Sequence, residues 1–147
     1  MKLRSKMPEL KGETDWLNGK AKRSDLVGEK PTIIHFWSVS CQECKESLPL
    51  LSQFREKYGS RVNFVAVHMP RSKEDTDIGK IKKVAHKYKI TQPIFIDNKM
   101  TLTDTFNNQY VPSYYLFDQN GVLRHYQAGG SGMKMLEKRV IKVLDEK

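Results

Sequence analysis

A short apolar run that leads straight into a C-x-x-C constrains this chain more than any other feature. Residues Pro31 to Ser38 read Pro-Thr-Ile-Ile-His-Phe-Trp-Ser. This continuous β-branched and aromatic stretch has the pattern of a strand buried on both faces. Just beyond it, Cys44, Leu48, Leu51, Phe54 and Tyr58 recur at three- and four-residue steps, the period of an amphipathic helix from Cys41 to about Tyr58, with Gly59 as its stop. Arg61 to His68 reads as a second buried strand. Asp75 to Lys89 reads as a helix with Ile78, Ile81, Val84, Ala85 and Tyr88 on one face. Ile94-Phe95-Ile96 makes a short strand ending at Asp97-Asn98, and Leu102 to Phe106 makes one or two helical turns. Tyr114 to Phe117 and Val122 to Gln127 flank a turn at Asp118 to Gly121 and predict an antiparallel hairpin. Met133, Leu136, Val140 and Val143 mark a closing helix. The β-α-β-α-β alternation implies a parallel sheet covered by helices, which the hairpin turns into a mixed α/β fold.

Composition narrows the class. A chain of 147 residues predicts a single domain over 1–147, and 38% apolar with 29% charged residues excludes a disordered chain. Two cysteines cannot staple a disulfide-rich secreted fold. Nor can they complete a four-ligand zinc site without histidines, and His35, His68, His86 and His125 show no paired spacing. No run of about 18 apolar residues predicts a membrane span. The basic start Met1-Lys2-Leu3-Arg4-Ser5-Lys6-Met7-Pro8 is followed by no apolar stretch of export-signal length. The expected location is therefore cytoplasmic as written, or extracytoplasmic if an N-terminal anchor has been removed.

Ser40-Cys41-Gln42-Glu43 fits the capping box S-x-x-E, with Ser40 as N-cap and Glu43 reaching back to it. Cys41 then falls in the first turn, where unpartnered backbone N–H groups and the helix dipole favour a thiolate. Cys44, three residues on, shares its face, so the two sulfurs can meet. This geometry suits disulfide exchange: Cys41 attacks a substrate disulfide and Cys44 resolves the mixed disulfide. Three other readings stand beside it: a half zinc site, a structural C-x-x-C, and a thiol peroxidase. A peroxidase wants Thr or Ser three residues before the attacking cysteine and Pro four before that. Ser38 fits the first place, but Ile34 occupies the second. A position after a strand in a β-α-β pattern favours redox chemistry.

At these residues the chain resembles the thioredoxin fold family. Phe36-Trp37 followed by Cys41-Gln42-Glu43-Cys44-Lys45 is similar to the family's F-W-x-x-x-C-x-x-C-K block. Pro49 matches the proline that kinks its active-site helix, and Val111-Pro112-Ser113-Tyr114 resembles its cis-proline signature. The Asn120-Gly121 turn and Gly129 also fit. The resemblance covers about residues 26–146. The 45 residues from Val67 to Pro112 leave room for an inserted helix–strand unit, about 75–96, as in TlpA/ResA-like thiol-disulfide oxidoreductases. Met7-Pro8-Glu9-Leu10 resembles the start of that family's N-terminal hairpin. The resemblance implies a mixed central sheet flanked by helices, a redox-active Cys41–Cys44 disulfide, and a substrate groove shaped by Trp37, Val111 and Pro112, with Pro112 cis and facing Cys41. It implies no metal and no organic cofactor.

Several positions depart from the family pattern. His35 stands six residues before the first cysteine, where thioredoxins hold a buried acid, and a neutral imidazole there could relay a proton near pH 7. The plainer role is a core histidine with a backbone partner. Ser47 replaces the glutamate that some ResA-like members carry three residues after the second cysteine, and Glu46 points away from Cys44. Glu43 lies between the cysteines, where its carboxylate disfavours a Cys41 thiolate, so a less acidic thiol and a reducing couple are expected. Ser40 replaces a second tryptophan, which narrows the expected set of substrates.

The formal charge is +9, and Arg71, Lys73, Lys80, Lys82, Lys83, Lys87 and Lys89 cluster around the inserted helix. Glu74, Asp75 and Asp77 interrupt the run and no nucleic-acid motif accompanies it, so a solvated helix face is expected and no nucleic-acid partner. The chain is thus expected to be a monomeric thiol-disulfide oxidoreductase, a reductase of protein disulfides re-reduced by a protein electron donor. A non-catalytic thioredoxin-fold binding module is the alternative from another class, and a thiol peroxidase-like antioxidant protein is a third.

Overall fold

In the computed structural model, residues 1–146 are described. The element order is β1 (Asp15–Leu17), α1 (Arg23–Leu26), β2 (Thr32–Trp37), α2 (Gln42–Tyr58), β3 (Asn63–His68), a 3-10 turn (Lys73–Thr76), α3 (Ile78–Lys87), β4 (Ile94–Ile96), α4 (Thr101–Phe106), β5 (Ser113–Phe117), β6 (Leu123–Ala128) and α5 (Met133–Asp145). The strands form one sheet in the order β1-β4-β3-β2-β5-β6. β2, β3 and β4 are parallel, while β1, β5 and β6 run antiparallel to their neighbours. This is the expected thioredoxin-like mixed sheet, and the inserted α3–β4 unit extends it on the β3 side.

Period-2 alternation sends the strand side chains to two separate cores. Ile33 and Trp37 of β2 join Leu48, Leu51 and Phe54 of α2, Ile81 of α3, and Leu136 and Val140 of α5. Ile34 and Phe36 turn the other way, onto Met7, Val65, Val67, Phe95, Phe106, Tyr115 and Phe117. Each buried large side chain in these layers is worth about 1.5–3 kcal/mol. Asp97, fully buried after β4, accepts the backbone N–H groups of Leu102 and Thr103 at 3.1 and 2.7 Å and so satisfies the start of α4.

Three expectations are corrected. The N-terminal segment is no hairpin. Lys6 bridges Val122, and β1 pairs with β4 at the sheet edge through Asp15↔Ile96 to Leu17↔Ile94. Exposed edges accept strands from distant sequence, which local patterns do not reveal. The inserted helix begins at Ile78, capped by Asp77, and Asp75 belongs to the separate 3-10 turn. Helix α2 is capped by Cys41, not Ser40.

Candidate active site

The helix start departs from the capping box for a tertiary reason. Cys41 is extended (φ −91°, ψ 107°) and its sulfur accepts the Cys44 N–H at 3.0 Å. The Ser40 hydroxyl turns outward and donates to Asp75 Oδ2 at 2.7 Å. The Glu43 carboxylate accepts the Gly130 N–H at 2.8 Å instead of reaching back along the chain. A Cβ at Gly130 would lie 2.9 Å from Glu43 Cγ, so the close approach of this loop to α2 requires glycine.

The two sulfurs are bonded as a disulfide, with Cα atoms 5.2 Å apart. Cys41 is 3% exposed and Cys44 fully buried. Cys41 Sγ lies 3.7 Å from the carbonyl oxygen of Val111, and the Val111–Pro112 peptide bond is cis. Pro112 O accepts the Gly129 N–H at 2.8 Å. The loop after β6 therefore ties the proline loop to the first turn of α2 through neighbouring glycines. Trp37 packs fully buried in the same core cluster as both cysteines. Cys41, Cys44, Trp37, Val111 and Pro112 thus come together at one end of the sheet.

His35 is placed differently. Its ring is 1% exposed and stacks on Tyr114 with centroids 4.9 Å apart. Both ring nitrogens lack a hydrogen-bond partner, so the expected backbone partner of a core histidine is not there. Burial, aided by the Arg55 guanidinium, lowers its pKa to about 3. The imidazole is therefore neutral throughout the working range of most enzymes. Ser47 is buried and donates to Cys44 O at 2.9 Å, and Glu46 is exposed. The Ser38 hydroxyl donates to Met69 O, and Ile34 lies in the core on the opposite face of the sheet. Among the described residues, no three His, Cys, Asp or Glu side chains gather as a metal cage.

Sequence reasoning missed the residues that hold the loop before Cys41. His68, fully buried at the end of β3, accepts the Val39 N–H through Nε2 at 3.1 Å and meets Trp37 edge to face. Arg71 donates to Ser40 O at 2.6 Å and to Ser40 Oγ at 3.2 Å, so it does not belong to the free basic surface. The lysines of α3 are exposed, as a solvated face requires. A cleft of about 690 Å³ lined by Leu17, Asn18, Arg55, Lys82, Lys89 and Thr91 contains none of the expected site residues.

A C-x-x-C disulfide at the start of a helix, facing a cis-proline loop on a mixed sheet, defines a thioredoxin-like protein. Residues 3–126 match the AhpC/TSA family, and the chain belongs to it. The chain is 63% identical over 146 residues to the thiol-disulfide oxidoreductase YkuV of Bacillus subtilis strain 168, covering 99% of each. It superposes with a TM-score of 0.92, at 62% identity, on the solution structure of a thioredoxin-like protein in the oxidised form, covering 100% of this chain and 99% of that one. It is also 26% identical over 125 residues to the thiol-disulfide oxidoreductase ResA of Bacillus thuringiensis strain Al Hakam, covering 84% of this chain and 69% of that protein. The chain is a thiol-disulfide oxidoreductase, with Cys41 and Cys44 joined as a C-x-x-C disulfide. Among the described residues, no helix is long and apolar enough to cross a membrane.

Proposed function

We propose that this enzyme reduces protein disulfides, with Cys41 as the attacking sulfur and Cys44 as the resolving one. The observation that supports it is the setting of Cys41 Sγ, which accepts the Cys44 N–H at 3.0 Å and stands 3.7 Å from Val111 O in the cis-proline loop. A donor aimed at the sulfur favours its thiolate. Backbone groups beside it would align an extended substrate segment, so that the disulfide arrives next to the nucleophile. Trp37 would keep water from the sulfurs, and Pro112 would shape the groove. With a pKa near 3, His35 offers only a weakly basic ring, and we infer that it serves the packing and relays no proton between about pH 5 and 9.

The direction follows from Glu43. Its carboxylate sits in the first turn of α2 and opposes the helix-end preference for negative charge on sulfur. A couple is oxidising when its reduced thiolate is strongly stabilised, and this carboxylate limits that stabilisation. Equilibration against glutathione or dithiothreitol buffers should give a potential nearer the roughly −270 mV of thioredoxin than the roughly −120 mV of a periplasmic oxidant. Glu43→Gln should move it toward the oxidising side. A wild-type value near −120 mV would mean that the protein makes disulfides.

The supported substrates are protein disulfides. The electron donor in this proposal is another protein dithiol, and the working unit is a monomeric domain over 1–147. A reductase must itself be kept reduced, which the cytosol does. We therefore propose a cytoplasmic site of action.

A further inference from the structure

We propose that Arg71 and Asp75, carried by the segment between β3 and α3, form a charged clamp on Ser40 that positions the nucleophile and sets the reactivity of its sulfur. This rests on Cys41 being the attacking sulfur. Ser40 is the residue immediately before it, and every polar group that Ser40 offers beyond its own N–H is held from this segment. Asp75 Oδ2 accepts from Ser40 Oγ at 2.7 Å and from the Arg71 N–H at 2.9 Å. The Arg71 guanidinium grips Ser40 O and Oγ at 2.6 and 3.2 Å. The adjoining end of β3 and the start of the segment also hold the chain before Ser40, through His68 Nε2 on Val39 N–H and through the Met69 N–H on Trp37 O at 2.8 Å.

A structural tether alone would not call for a carboxylate here. Asp75 is 1% exposed, and its Oδ1 has no hydrogen-bond partner. Burying half a carboxylate without a partner costs more than a hydroxyl or an amide would. The Arg71 guanidinium bonds to Ser40 and forms no ion pair with Asp75. Opposite charges thus flank the residue before the nucleophile without cancelling each other in a direct pair. The other titratable groups around the loop are neutral His68 at the end of β3, its pKa lowered to about 4 by burial, and Glu43 and Lys45 in the first turn of α2. Glu43 accepts the Gly130 N–H and its carboxylate acts alike in the wild type and in both variants below, while neither β2 nor the Val111–Pro112 loop adds a charge next to the sulfur. In this arrangement Asp75 restrains the Cys41 thiolate and Arg71 supports it.

Opposite charges provide a test that loss of structure cannot imitate. Reduced protein is alkylated with iodoacetamide from pH 5 to 9, and the labelled cysteine is identified by peptide mapping. Asp75→Asn keeps an acceptor for Ser40 and removes the negative charge. It should shift the alkylation midpoint to lower pH and speed labelling at pH 6 by about threefold. Arg71→Gln keeps donors and removes the positive charge. It should shift the midpoint the other way and slow labelling by a similar factor. Movement of both variants in the same direction, or of neither, would overturn the clamp. Far-UV circular dichroism and wild-type urea midpoints identify the folded variants, and Ser40→Ala, which cuts the tether and keeps both charges, should move the midpoint less than either. If mapping finds Cys44 labelled ahead of Cys41, the assignment of the nucleophile fails instead, and this result is distinct from the others.

Discussion

Cys41→Ser is expected to abolish reduction of insulin disulfides, leaving less than about a thousandth of the wild-type rate, because a serine hydroxyl provides no thiolate at neutral pH. Cys44→Ser is expected to fail at a different step. In the reaction we propose, the Cys41 thiolate attacks one sulfur of the substrate disulfide. The new bond joins Cys41 Sγ to that sulfur, and the second substrate sulfur leaves as a thiolate that takes up a proton. The Cys44 thiolate then attacks Cys41 Sγ, forms the intramolecular disulfide and expels the first substrate sulfur as a second thiol. Two electrons have passed from the dithiol to the substrate. With Cys44 removed, the first exchange still occurs and the second cannot, so a covalent adduct should accumulate. The asymmetry follows from the site. Cys41 occupies the N-cap beside Val111 O, whereas Cys44 is fully buried under the first turn. Non-reducing electrophoresis and intact mass measurement check the outcome. Adducts trapped on Cys41→Ser and absent from Cys44→Ser would reverse the two roles.

What could be read in advance separates cleanly into local and non-local physics. The strand Thr32–Trp37 and the helix after it were legible because their signals lie within about 25 consecutive residues. Continuous apolar character marked a strand buried on both faces, and a three-to-four-residue period marked the helix face. Ile94–Ile96 was legible residue for residue for the same reason. The cis peptide before Pro112 was legible only through resemblance to a known motif, since nothing in Val-Pro-Ser specifies the isomer locally. The capping box failed because both of its members are engaged elsewhere, Ser40 by Asp75, 35 residues away, and Glu43 by Gly130, 87 residues away. Local capping contributes about 1 kcal/mol, and a tertiary partner for the same hydroxyl replaces it readily. His68 escaped notice because its role depends on register. The pairing Trp37↔His68 puts it beside the loop leading to Cys41, and strand register between β2 and β3 cannot be counted along the chain. Arg71 looked like one more member of a basic run for the same reason.

Acid should destabilise this fold well before its carboxylates protonate. His35 and His68 are both buried, at 1% and 0% exposure, and burial is the leading cause that lowers their pKa values to about 3 and about 4 from 6.5. Arg55 lowers His35 further, whereas Asp75 opposes the shift at His68 without overcoming it. Both rings are neutral in the native state, while the unfolded chain protonates both as pH falls through 6.5. The unfolded state then binds more protons, so stability declines with falling pH until the native values are reached. Between pH 7 and 5 each histidine should cost about 2 kcal/mol, a large share of the stability of a domain this size. Glu137, held below the usual carboxylate range by Lys57 and Tyr58, and Glu146, held there by Arg124, lose their contributions only below about 4.5 and stay outside this window. Urea unfolding of the oxidised protein at the two pH values measures the loss. His35→Phe keeps a planar ring against Tyr114 and removes one proton site, so it should roughly halve the difference and leave the pH profile of insulin reduction unchanged. An undiminished loss in that variant would show that His35 is not the source of the acid sensitivity. An altered reductase profile in a fully folded variant would instead return His35 to the proton relay considered from its position on β2.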